Sequence, residues 1–138
     1  MPSDALQLLA KELGSLVQRL RSWTPTRWSA QLAPWGTRAD LARHLAQWLA
    51  DQGAELEGQP QRPLPVLHPD LLLADQLAVT GDDLVRAAPT DEACRDAVAH
   101  VLAHRFDLLG EEPPASLGGA QALALGREVC LRAARSQD

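Results

Sequence analysis

From Ser3 onward, Leu6, Leu9, Leu13, Leu16, Val17 and Leu20 recur at intervals of three and four residues, the period that gathers apolar side chains on one face of an α-helix. Ser3 or Asp4 is available as its cap, and the pattern stops near Trp23, ahead of Pro25. Residues 24–36 carry two prolines together with Trp28 and Trp35, which predicts an ordered loop whose rings cover one end of the helices. Thr37 then caps a second helix to about Gln52, with Leu41, His44, Leu45 and Trp48 on one face and Arg38, Arg43, Gln47 and Asp51 elsewhere.

The stretch 53–68 is rich in Pro, Gly and Gln and reads as a link. Sixteen residues reach up to ~50 Å, whereas a fifteen-residue helix is only ~22 Å long. The link can therefore recross the whole molecule and leave the helices on either side parallel, or it can loop out. A third helix is predicted from Pro69 to the stop at Pro89, through Leu72, Leu73, Gln76, Leu77, Val79, Leu84 and Val85, with Gly81 as a weak point. A fourth begins at Thr90, Asp91 or Glu92, carries Ala93, Ala97, Val98, Val101, Leu102, Leu108 and Leu109, and ends at Glu111-Glu112-Pro113-Pro114. A short last helix is expected over 117–134, with Leu123, Leu125, Val129, Cys130 and Leu131 as its apolar positions.

Composition supports that reading. Leu and Ala dominate, Tyr is absent and Phe occurs once, so helices are favoured over strands, and 138 residues suit a single all-α domain over 1–138. Formal net charge is -5, and the thirteen basic residues are scattered, which leaves no nucleic-acid footprint. The longest apolar runs are far too short to span a membrane, and no basic segment leads into an apolar one after Met1, so the expectation is a cytoplasmic protein. In that compartment Cys94 and Cys130, in no redox or zinc-ribbon spacing, are expected as free thiols.

The histidines carry the candidate chemistry. His100 and His104 are four residues apart on the fourth helix and project from one face about a turn apart, in a sector shared with Ala97, Val101 and Leu108. His44 has the same setting on the second helix. A pair spaced four apart is common in any helical sequence. Three inward imidazoles are not, because each needs partners for two ring nitrogens, and one metal ion satisfies one nitrogen on each ring. Three nitrogen ligands from two helices leave further positions open for water or substrate. Asp40, a turn before His44, could accept a hydrogen bond from the ligand's other nitrogen, and Asp107 could do so for His104. Both are equally readable as exposed charges. Arg105 is the nearby cation for a substrate carboxylate, or a solvated helix residue. Trp23, Trp28, Trp35 and Trp48 could wall the pocket or fill the core. His68, beside Pro69, is expected on the surface.

Two blocks bear a family resemblance. Trp35-Gly36-Thr37-Arg38-Ala39-Asp40-Leu41-Ala42-Arg43-His44-Leu45-Ala46 and Ala99-His100-Val101-Leu102-Ala103-His104-Arg105-Phe106-Asp107 resemble the Trp-rich entry to helix two and the paired-histidine helix of DinB-like proteins. That superfamily includes mycothiol-dependent maleylpyruvate isomerases and bacillithiol-linked transferases. The resemblance implies a four-helix bundle of up-down-down-up topology with a short extra C-terminal helix, and a three-histidine site for zinc or nickel at His44, His100 and His104. It also implies a low-molecular-weight thiol as cosubstrate and an electrophile as its acceptor. Departures are the lack of Tyr as acid or base and an expectation of no additional C-terminal domain of the isomerase kind. The function expected is thus a metal-dependent thiol transferase or isomerase-like enzyme acting on small molecules. The alternative is a non-catalytic helical binding or stress-related protein with a structural metal or none. In either case a homodimer is one option for leftover helix faces.

Overall fold

A computed structural model describes residues 3–110. The first helix, α1, spans Asp4–Leu20, with the Ser3 hydroxyl accepting from the Leu6 amide at 3.1 Å. Its buried face is Leu9, Leu13, Leu16, Val17 and Leu20, the stripe its periodicity predicts. It stops three residues short of Trp23. Thr24 starts a new element there, capping the short helix α2, Pro25–Ser29, whose proline suits the first helical turn.

Residues 24–36 are therefore more than a loop. After α2 comes a two-stranded antiparallel ribbon, β1 (Gln31–Leu32) on β2 (Gly36–Thr37), the only departure from helix among the described elements. Gly36 has φ of 106°, which an L side chain rarely adopts, and a Cβ there would meet the Asp40 carboxylate at 2.5 Å.

Helix α3, Arg38–Leu56, opens on a reciprocal capping box in which Thr37 accepts from the Asp40 amide and Asp40 accepts from the Thr37 amide. It runs a turn beyond Gln52. Gly53 reads as a helix breaker in the sequence, yet it is buried where α3 meets the backbone of Leu84, so packing overrides its poor propensity. The following link is held to α3 by Gln47, which accepts from the Leu64 amide at 2.8 Å and donates to the Arg62 carbonyl at 3.0 Å. A single 3-10 turn at Asp70–Leu72 leads into α4, Leu73–Arg86. Thr90 caps α5, Asp91–Leu109, and Gly110 ends it in a left-handed conformation with φ of 72°. The expected helix over 117–134 and Cys130 lie outside the described residues.

Helix directions follow from their contacts. Arg43 pairs with Asp70 near the start of both α3 and α4, and Gly53 meets Leu84 near their ends, so the two run the same way. Arg21 pairs with Asp75 at 3.4 Å and Gly81 packs on Leu13, so α1 and α4 run oppositely. His44 beside His104 and Trp48 beside His100 make α3 and α5 antiparallel as well. Helix α1 touches both α4 and α5, and α3 touches both from the other side. The core between them is mainly leucine, including Leu16, Leu41, Leu45, Leu49, Leu77 and Leu102, each almost fully buried. Within α5 every residue from Ala97 to His104 is buried, which places that helix deepest in the molecule. No described helix is long and apolar enough to cross a membrane.

Candidate functional site

The three histidines meet on the seam between α3 and α5. Nδ1 of His44 lies 3.3 Å from Nε2 of His104. The other nitrogen of His104, Nδ1, is 2.7 Å from the carbonyl oxygen of His100 one turn earlier. A carbonyl only accepts, so Nδ1 carries the hydrogen, and in the neutral ring Nε2 carries the lone pair that faces His44. His100 stacks on Trp48, with centroids 3.9 Å apart and an interplanar angle of 17°. Its ring centroid is 6.4 Å from that of His104.

Two nitrogens held at ~2.0–2.1 Å by one tetrahedral ion stand roughly 3.3–3.4 Å apart. The His44–His104 separation has that value, and it also suits a hydrogen bond from His44 to His104. The third ring does not complete the set as it stands: among the described residues, no group of three or more His, Cys, Asp or Glu side chains is arranged to hold a metal ion.

Burial keeps these rings neutral. His104, 1% exposed, has its pKa pushed down to about 3, chiefly because a charged imidazole would lose its hydration there; the hydrogen bond to the His100 carbonyl offsets part of this, and the neighbouring His44 and His100 rings add smaller downward pushes. His100 is lowered to about 4 by the same desolvation, only partly offset by Asp96. His44, half-buried, is also lowered by burial. At neutral pH all three retain a lone pair, the state in which imidazole ligates metal.

Of the tryptophans, two border this seam and two do not. Trp35 lies 5.1 Å from the His44 ring and 6.1 Å from that of His104, and Trp48 covers His100. Trp23 and Trp28 instead meet each other edge to face at 4.8 Å in the core beside α2. Nothing in the distance of Trp35 from His44 along the chain marks it as a neighbour; the ribbon that turns it inward does.

Asp40 and Arg105, near these histidines in sequence, are engaged elsewhere. Asp40 accepts from the Thr37 amide and from Arg43, so its carboxylate serves the start of α3. Arg105 points to α1, donating to Ser15 Oγ at 3.1 Å and lying 3.5 Å from the Glu12 carboxylate. The difference from its neighbour His104 is the 100° step between consecutive helical residues, which turns one toward α3 and the other toward α1. Asp107 is half-buried near the end of α5. Cys94 is a buried free thiol whose Sγ donates to the Pro89 carbonyl, and burial raises its pKa. His68 is exposed.

Comparison of the chain with protein-family models, curated proteins and solved structures finds no match.

Proposed function

We infer that the protein is a metal-dependent DinB-like enzyme, a thiol transferase or isomerase-like relative, built on one four-helix bundle of up-down-down-up topology. The helix directions support that topology, since α3 and α4 share one direction and both oppose a neighbour, α1 or α5. The observation that carries the functional reading is the 3.3 Å approach of His44 Nδ1 and His104 Nε2, with the His104 lone pair aimed at His44 by the bond from Nδ1 to a carbonyl. In this reading His44, His104 and, a turn earlier on α5, His100 would hold zinc or nickel.

A divalent transition ion held by these histidines would supply Lewis acidity and favour deprotonation of a thiol at neutral pH. The chain's own part is to fix and shelter the donors. The His100 carbonyl sets the tautomer of His104, while Trp35 and Trp48 cover the rings and keep water from their faces. The substrates are a bacillithiol- or mycothiol-type thiol and a small electrophile, as the two sequence blocks imply.

The test is metal analysis of untagged protein beside His44→Ala, His100→Ala and His104→Ala, followed by incubation with bacillithiol, mycothiol or glutathione and an electrophile. Metal lost in the variants and thiol consumed by the parent support the reading. Near-stoichiometric metal that survives all three substitutions contradicts the site, and no thiol consumption with any donor contradicts the enzyme.

A second reading has its own observation. His44 can satisfy His104 by a hydrogen bond without metal, and the three rings do not converge on one point. That arrangement favours a helical binding protein without chemistry, and a metal-free, thiol-inert preparation would select it.

A further inference from the structure

Helices α3 and α4 run the same way and end together, at Leu56 and Arg86, where α5 begins at Asp91. Between these three ends lies a cavity of about 210 Å³. Trp48, Leu84 and Ala97, one residue from each helix, form its apolar wall, and Leu56, 44% exposed, brings that wall out to solvent. Gln52 and Glu55 add polar groups to the lining. These six side chains face one common space. Gaps left by ordinary packing are seldom larger than a water molecule, and an apolar cavity of roughly 150 Å³ already accepts benzene.

The polar part of the lining is one-sided in charge. Glu55 is exposed and forms no ion pair among the described residues, and the Gln52 side chain forms no hydrogen bond there. The last turn of α3 carries no basic residue, so the negative end of its dipole adds to the Glu55 carboxylate. Arg86 ends α4 but pairs with Asp82. Asp91 and Glu92 in the first turn of α5 balance the positive end of that helix. An apolar interior thus opens through a mouth that favours a cation. The wall is also set in advance, because Trp48 is stacked on His100 with centroids 3.9 Å apart.

We propose that this cavity binds a small aromatic ammonium ligand, a single ring carrying a short amine side chain. The ring lies against Trp48 between Leu84 and Ala97, the chain passes Leu56, and the ammonium donates to the Glu55 carboxylate and the Gln52 amide oxygen. Trp48 is shared with the histidine seam, but the proposal does not rest on a metal there.

The experiment follows the indole ¹H–¹⁵N signal of Trp48 in the full chain, assigned with Trp48→Phe, during separate titrations with phenethylammonium, phenethyl alcohol and hydrocinnamate. These probes share the ring and the length of the chain and differ in charge. The Trp48 signal shifts saturably, with the ammonium bound most tightly, the alcohol next and the carboxylate least. Glu55→Gln, a change at an exposed position, weakens ammonium binding roughly threefold to fivefold and leaves the alcohol unchanged. Ala93→Leu, at another position of the lining, blocks binding while far-ultraviolet circular dichroism keeps its helical signal. No saturable Trp48 shift with the ammonium overturns the site, as does any other order among the three probes, ammonium binding that Glu55→Gln leaves at full strength, or an unaltered response in folded Ala93→Leu.

Discussion

Helix α1 against α4 and helix α3 against α5 are both antiparallel seams, yet they are filled in opposite ways. Between α1 and α4 the contact is apolar and close: Gly81 lets the helices approach until a Cβ there would stand 3.1 Å from Leu13. Between α3 and α5 three imidazoles and an indole take the place of leucines, two of the imidazoles almost fully buried. The first seam is what burial of apolar surface alone would select. The second sacrifices stability, because a ring that must stay neutral to remain buried could be replaced by a leucine that carries no such condition. That cost is what makes the α3–α5 seam the candidate site.

The largest expected effect separates the seams by pH. In the metal-free protein His100 and His104 titrate at about 4 and 3 when folded, against about 6.5 when unfolded. Above 6.5 neither state binds these protons and stability is level. As pH falls from there toward 4 the unfolded chain alone takes them up, and stability drops by up to about 3 kcal/mol per pH unit for the two rings together. Urea midpoints between pH 7.5 and 4.5 check this, and His104→Leu is expected to flatten the profile while Leu13→Met leaves its shape intact.

Next comes the apolar seam. Leu77→Ala, at a side chain 1% exposed on α4, is expected to cost about 2–5 kcal/mol in chemical denaturation, with metal content per folded molecule unchanged. Gly81→Val follows, at about 1–3 kcal/mol, because the new methyl groups must displace Leu13 across the seam. Thr37→Ala removes the cap of α3 and is expected to cost about 1 kcal/mol. Its thermal midpoint falls slightly, while binding at His44, two turns into the helix, persists.

The helices were legible because leucine spacing on α1 and α4 and the caps at Ser3, Thr37 and Thr90 act locally. Gly53 misled for the opposite reason: its place in α3 is decided by Leu84, thirty-one residues on. In the site, the inward turn of His44, His100 and His104 follows from helical period. Whether their nitrogens converge depends on the relative rotation of α3 and α5, which no single-helix pattern records. Asp40 and Arg105 lie near His44 and His104 in sequence, but the capping box claims one and Glu12 on α1 the other. Trp35 was brought to the rings by a ribbon too short to leave a strand pattern.

The most direct test of the central claim, that His44 and His104 share one ion, is titration of metal-free protein with Co²⁺ followed by its visible absorption. The prediction is one equivalent bound with ligand-field bands, lost in both His44→Ala and His104→Ala while far-ultraviolet circular dichroism keeps its helical signal. Bands of equal intensity and affinity in the parent and both variants, or no bands in the parent at all, would contradict it.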